Sequence, residues 1–147
     1  MFKNKSIAEL MASDLPDLSY QKALGFEPSY KEVHYLYSAL NEEVFNNVLP
    51  HAPIQILQRT SYWGCTESMH ANAIPIHESS TCVIKLPKRW FSVHWTILIL
   101  AHEMCHQYQW DIDGLKRMKK SKEPIITHGP SFFKFRDKLM KHGIPLR

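Results

Sequence analysis

The stretch Ser92-Val93-His94-Trp95-Thr96-Ile97-Leu98-Ile99-Leu100-Ala101-His102-Glu103-Met104-Cys105-His106-Gln107 decides how the chain is read. Ser92 can cap a helix start, and the apolar run through Ala101 predicts a buried first half. The helix should continue to about Trp110, where Asp111, Asp113 and Gly114 mark the exit. His102 and His106 stand four apart, one turn above each other on the same face at ~100° per residue, so both imidazoles can reach one ion from a single rigid element. Glu103 is rotated away from that pair. It lies too far round to be an equally good ligand, yet close enough to hydrogen-bond a water on the metal, which suits a general base.

Zinc in such a setting needs a third protein ligand and a fourth position left for water, because lowering the pKa of that water makes a nucleophile near neutral pH. His128 is the expected third ligand. It follows His106 by twenty-two positions, after a loop, at the mouth of the last helix. The expected cofactor is thus one zinc ion on His102, His106 and His128. Glu103 would take the proton of the water and later pass it to the leaving amine. A His-Glu-x-x-His pattern also arises by chance on amphipathic helices. Here the apolar run sets the histidines in or beside the core, where three unpaired imidazoles are hard to accommodate without metal. His34, His51, His70, His77, His94 and His142 lack such spacing and read as surface or structural. Cys105 shares a face with Ala101 and Tyr108 and reads as core packing, which leaves Cys65 as the one thiol that rivals His128.

Outward from this helix, Ser29 and Glu32 have the spacing of a capping box and open an earlier helix that should run to about Val48 before Pro50 stops it. Val33, Leu36, Tyr37, Leu40, Val44, Phe45 and Val48 form its apolar stripe. Between Ile54 and Leu86 the period changes: Ile54 to Arg59, Tyr62 to Thr66 and Thr81 to Leu86 read as short strands, most simply assembled as an antiparallel sheet. A last helix is expected from about Pro130 to His142, with Gly143 as its carboxy-terminal cap. The fold class is therefore α+β: a small antiparallel sheet against an amino-terminal helix and the His-Glu-x-x-His helix, plus a carboxy-terminal helix. Residues 1–28, with Pro16 and Pro28 and only short apolar patches, read as a peripheral segment, and 29–147 as a single domain.

Composition narrows the class further. At 147 residues one hydrophobic core is the default, and 44% hydrophobic residues suffice to fill it. No run approaches the ~20 apolar residues of a membrane span. The charged amino terminus leads into Glu9 and Asp14 instead of an apolar signal region, so no membrane partner is expected. Three cysteines, Cys65, Cys82 and Cys105, do not form a disulfide framework and fit a reducing, cytoplasmic setting. A monomer is expected. The net charge of +4 is mild, but Lys116, Arg117, Lys119, Lys120 and Lys122 crowd one seven-residue stretch.

The run His102-Glu103-Met104-Cys105-His106-Gln107, followed by His128-Gly129-Pro130-Ser131-Phe132 opening a helix, resembles the SprT-like (Spartan-type) metallopeptidase domain. Leu40-Asn41-Glu42-Glu43-Val44-Phe45, then Leu49-Pro50 and a strand, is similar to that family's first helix. The resemblance covers roughly Tyr30 to His142. It implies a zincin-like α+β fold, zinc on the positions matching His102, His106 and His128, and Glu103 as catalytic acid and base. Characterised eukaryotic relatives cleave proteins crosslinked to DNA, which implies a protein or peptide substrate and DNA, single-stranded or branched, as a further partner, with a nucleoid association. The chain departs from many relatives in ending at Arg147 without a cysteine-rich zinc ribbon, which leaves DNA targeting open. The basic stretch and Lys134, Arg136, Lys138 and Lys141 can supply phosphate contacts, and Trp63 or Trp90 can stack on exposed bases. The bland reading is a solvated face and buried tryptophans.

Two other readings compete. In a peptide deformylase the third ligand is a cysteine in a Gly-Cys context, here Gly64-Cys65, but that leaves His128-Gly129 unexplained. A non-catalytic, zinc-stabilised module that binds DNA or a protein partner would need no base at Glu103.

Overall fold

The computed structural model describes residues 4–12, 25–58, 64–68, 80, 82–90, 92–114 and 128–146. Its described elements are helices α1 (Ile7–Ala12) and α2 (Tyr30–Glu43), strands β1 (Ile54–Leu57), β2 (Cys65–Ser68) and β3 (Cys82–Pro87), helix α3 (Val93–Tyr108), a π-helix (Gln109–Gly114), a 3-10 turn (Phe132–Phe135) and helix α4 (Arg136–Lys141). The class is α+β, as the periodicity predicts. None of the described helices is long and apolar enough to cross a membrane.

The capping box forms at the start of α2. Ser29 Oγ accepts the Glu32 N–H at 3.1 Å, and the Glu32 carboxylate accepts the Ser29 N–H at 3.1 Å. The other end differs from the expectation of a helix to Val48. Asn46 and Asn47 take left-handed backbone, φ 54° and 58°, a conformation asparagine tolerates better than branched residues do. The helix therefore stops at Glu43, and Val48, expected in the apolar stripe, is 46% exposed. Val33, Leu36, Tyr37, Leu40, Val44 and Phe45 are buried as the stripe requires.

The three-stranded sheet is mixed, a correction to the antiparallel assembly. Its order is β1-β3-β2, with β1 parallel and β2 antiparallel to β3. β3 is the most apolar strand. Cys82, Val83, Ile84 and Leu86 are buried, which favours the central place where both edges are paired. The strands to either side then pair with β3 instead of with each other.

Helix α3 is the axle of the molecule. Its side chains Ile97, Leu100, Ala101, Met104 and Cys105 are buried, and it packs on α1, α2, β2 and β3. Ser92 caps it, accepting the Trp95 N–H at 3.4 Å. Its far end is held by polar groups: Gln107 Nε2 donates to the Pro50 carbonyl at 2.7 Å and to Asp111 Oδ2 at 3.0 Å, while Tyr37 donates to Gln107 Oε1 at 2.8 Å. Ser80 completes the set by donating to Asp111 at 2.5 Å. Burying these groups costs little because each is satisfied. The expected exit at Asp111 to Gly114 is instead a π-helix that continues α3.

The amino-terminal segment is less peripheral than its composition suggests. Ile7 and Leu10 join the core, and the Ile7 N–H is accepted by the Glu43 carboxylate at 3.0 Å. One turn of apolar spacing is too short a signal to reveal this. Phe26 pairs with Trp90 through backbone bonds of 2.9 and 2.7 Å. At the carboxy end the expected single helix is a 3-10 turn leading into α4. Gly143, at φ +82°, closes it as predicted, with Ile144 N–H on the Leu139 carbonyl.

Burial separates two apolar positions of the predicted stripe. Leu40→Ala should cost roughly 2–5 kcal/mol in urea unfolding and Val48→Ala less than about 0.5 kcal/mol. Equal costs would restore the longer helix.

Candidate metal centre

Helix α3 presents His102 and His106 on one face, as their spacing requires, with ring centroids 4.9 Å apart. The turn before the 3-10 segment brings His128 to the same place, 5.6 Å from the His102 ring and 4.9 Å from the His106 ring. One ligand atom from each residue lies within 4.8 Å of those of the other two. Among the described residues this is the one group of three or more histidine, cysteine or carboxylate side chains so placed.

The donors fit a metal chemically as well as geometrically. Burial, then the nearby His106 and His128, pushes His102 down to about 4, and burial also lowers His106. Both rings are thus neutral near pH 7, with a lone pair to give. His106 Nδ1 lies 2.8 Å from Gln109 Oε1, so its Nε2 is the nitrogen left to bind. Phe132, fully buried, floors the cluster. It stacks on His106 at 4.5 Å and meets His102 and His128 edge-on at 4.8 and 5.0 Å.

Glu103 sits one residue from this pair and is 4% exposed. Burial raises its carboxyl to about 7, against a smaller opposing effect of the Thr66 hydrogen bond. Thr66 Oγ1, on β2, lies 3.0 Å from both Glu103 Oε1 and the Glu103 carbonyl, pinning strand to helix. The approach needs a glycine just before the strand. A Cβ on Gly64 would stand 2.6 Å from Ile99 Cγ2 and 3.0 Å from Glu103 Cγ. Gly64, Cys65, Thr66, Gln109 and Trp110 line one cleft with Glu103 and the three histidines. Its volume of about 380 Å³ is in the ~300–1,000 Å³ range of small binding sites.

The remaining expected residues divide clearly. Cys65 borders the cleft but is not among the three converging ligands. Cys105 is buried, and its thiol is pushed up to about 12 by burial and by Glu103, so it packs in the core as expected. Trp90 is fully buried, which corrects its assignment as a base-stacking residue: its ring fills the core beside the Phe26 pairing. Lys134, Arg136 and Lys141 are exposed at the carboxy end. Lys134 donates to the Tyr108 hydroxyl at 2.6 Å and Lys138 to Asn46 Oδ1 at 2.8 Å. Trp63, Lys116, Arg117, Lys119, Lys120 and Lys122 lie outside the described residues. Thr66, Gln109, Trp110 and Ser131 are the site residues that spacing did not reveal. Of these, only Gln109 carried a signal, three positions beyond His106 on the same helical face.

No protein-family model, curated protein or solved structure matches the chain.

The raised carboxyl has a thermodynamic consequence. Unfolding lets Glu103 ionise near pH 4.5 whereas the folded, metal-free protein resists until about 7, so its full contribution below pH 4.5 is lost as pH rises through 7. Metal-free Glu103→Gln should therefore be more stable than wild type above pH 7, with the gap closing toward pH 4.5. A gap independent of pH would show that the carboxyl is not raised.

Proposed function

We propose that the chain is a zinc-dependent metallopeptidase of SprT-like type, with one zinc ion on His102, His106 and His128. The observation that carries this reading is the pairing of two features in one cleft: three converging imidazoles, and a buried carboxyl beside them whose pKa, about 7, matches general acid and base work. A purely structural site needs no such carboxyl. Helix-borne ligands beside a strand at the edge of a small sheet also suit the zincin-like arrangement that the resemblance implies.

When bound, zinc would acidify a water and polarise the scissile carbonyl. Glu103 would accept the proton of a water in the cleft and return it to the departing amine, a role that requires a carboxyl able to cycle near neutral pH. Thr66 holds the carboxyl in place through Oε1, and the Gly64 backbone lets strand β2 lie against it. Protein or peptide is the substrate class.

Action on DNA-associated or DNA-crosslinked proteins rests on the resemblance and on Lys134, Arg136 and Lys141, exposed at one end of the chain. The deformylase reading is disfavoured because His128, not Cys65, joins the ligand cluster.

Replacing Glu103 by Gln should reduce cleavage of an unfolded protein substrate by at least ~10³-fold while zinc is retained. Normal turnover in that variant refutes the assignment. Zinc should be lost in His128→Ala and kept in Cys65→Ala, the reverse pattern favouring the deformylase reading. Binding to single-stranded DNA should weaken by roughly tenfold or more between 50 and 200 mM salt if a few phosphates are contacted, and a salt-independent interaction removes the DNA proposal.

A further inference from the structure

The third ligand reaches the cluster from a part of the chain far from α3 in sequence, so something must fix its approach. Gln109, at the first position of the π-helix, is 2% exposed and bridges the two parts. Its Oε1 lies 2.8 Å from His106 Nδ1, and its Nε2 donates to Ser131 Oγ at 2.9 Å. Ser131 follows His128 by three residues, and its hydroxyl makes no cap bond to the 3-10 turn it precedes. Accepting from Gln109 is its hydrogen bond in the site.

The polarity of this chain of bonds is dictated from the metal end. For His106 to offer Nε2, that nitrogen must be bare, so Nδ1 carries the proton and donates. Gln109 must then turn its oxygen to the ring. Its amide nitrogen is left facing Ser131, whose oxygen accepts. One side chain thereby selects the metal-binding tautomer of one ligand and tethers the segment that delivers another.

We propose that Gln109 is a positioning residue that couples the two halves of the metal centre, setting the His106 tautomer through Oε1 and recruiting His128 through Ser131. The inference rests on the metal site of the proposed function and not on peptide cleavage. The burial pattern supports it: Gln109 is turned inward, while its neighbour Trp110 stays 39% exposed on the cleft wall.

The test uses the full chain and Zn²⁺ alone, with affinity measured against a chromophoric chelator and tautomers by long-range ¹H–¹⁵N NMR of the metal-free protein. Gln109→Leu should weaken zinc binding about 10- to 100-fold, the range seen when a partner of a metal-bound histidine is removed, and His106 should lose its single Nδ1–H form. Ser131→Ala should weaken zinc binding yet leave that tautomer unchanged. Gln109→Glu, whose carboxylate accepts from both His106 and the Ser131 hydroxyl, should restore near wild-type affinity. If His106→Ala loses zinc while Gln109→Leu and Ser131→Ala bind it as wild type does, the coupling is overturned and the metal site stands. Unchanged zinc binding in His106→Ala removes both.

Discussion

Three imidazoles brought together, His102 and His106 from the edge of the hydrophobic core and His128 from the exposed turn opposite, are the constraint on which the rest of the site depends. Desolvation holds His102 and His106 below their ordinary range, and mutual proximity adds to it at both. Such a cluster is poor at carrying protons and good at donating lone pairs. A divalent cation would turn this cost into binding energy, because it would satisfy the nitrogens of His102 and His106 that burial has removed from water.

The surrounding fold serves that cluster in layers. Phe132 fills the space beneath all three rings, so His102, His106 and His128 cannot collapse into the core. Strand β2 brings Thr66 to Glu103, and Gly64 gives up a side chain to let it do so. Beyond His106, the buried set of Gln107, Asp111, Tyr37 and Ser80 locks the end of α3 to α2 and to the approach to β3. Rigid polar contacts of this kind keep ligands within the small tolerances that metal geometry demands.

How much of this was legible in the sequence depends on the range over which each signal acts. The capping box at Ser29, the helix cap at Ser92, the i and i+4 histidines and the left-handed cap at Gly143 are all local, and each appears where spacing placed it. His128 was reachable only because its place before a helix offered a second local mark. By contrast, the apolar character that suits β3 to the centre of the sheet does not fix the direction in which its neighbours pair, β1 parallel and β2 antiparallel. The burial of Ile7 and Leu10 depends on Glu43, thirty-six residues beyond Ile7. Thr66 and Ser131 act across similar distances, and a lone hydroxyl in a strand or turn carries no periodic signature. Asn46-Asn47 was a turn signal outweighed by the apolar stripe running past it.

X-ray absorption at the zinc edge of the zinc-loaded full chain measures the ligand set directly. The account predicts four light ligands at about 2.0–2.1 Å, with outer-shell scattering from three imidazoles and the fourth place taken by oxygen. A sulfur ligand at about 2.3 Å, or scattering from only two imidazoles, would contradict it.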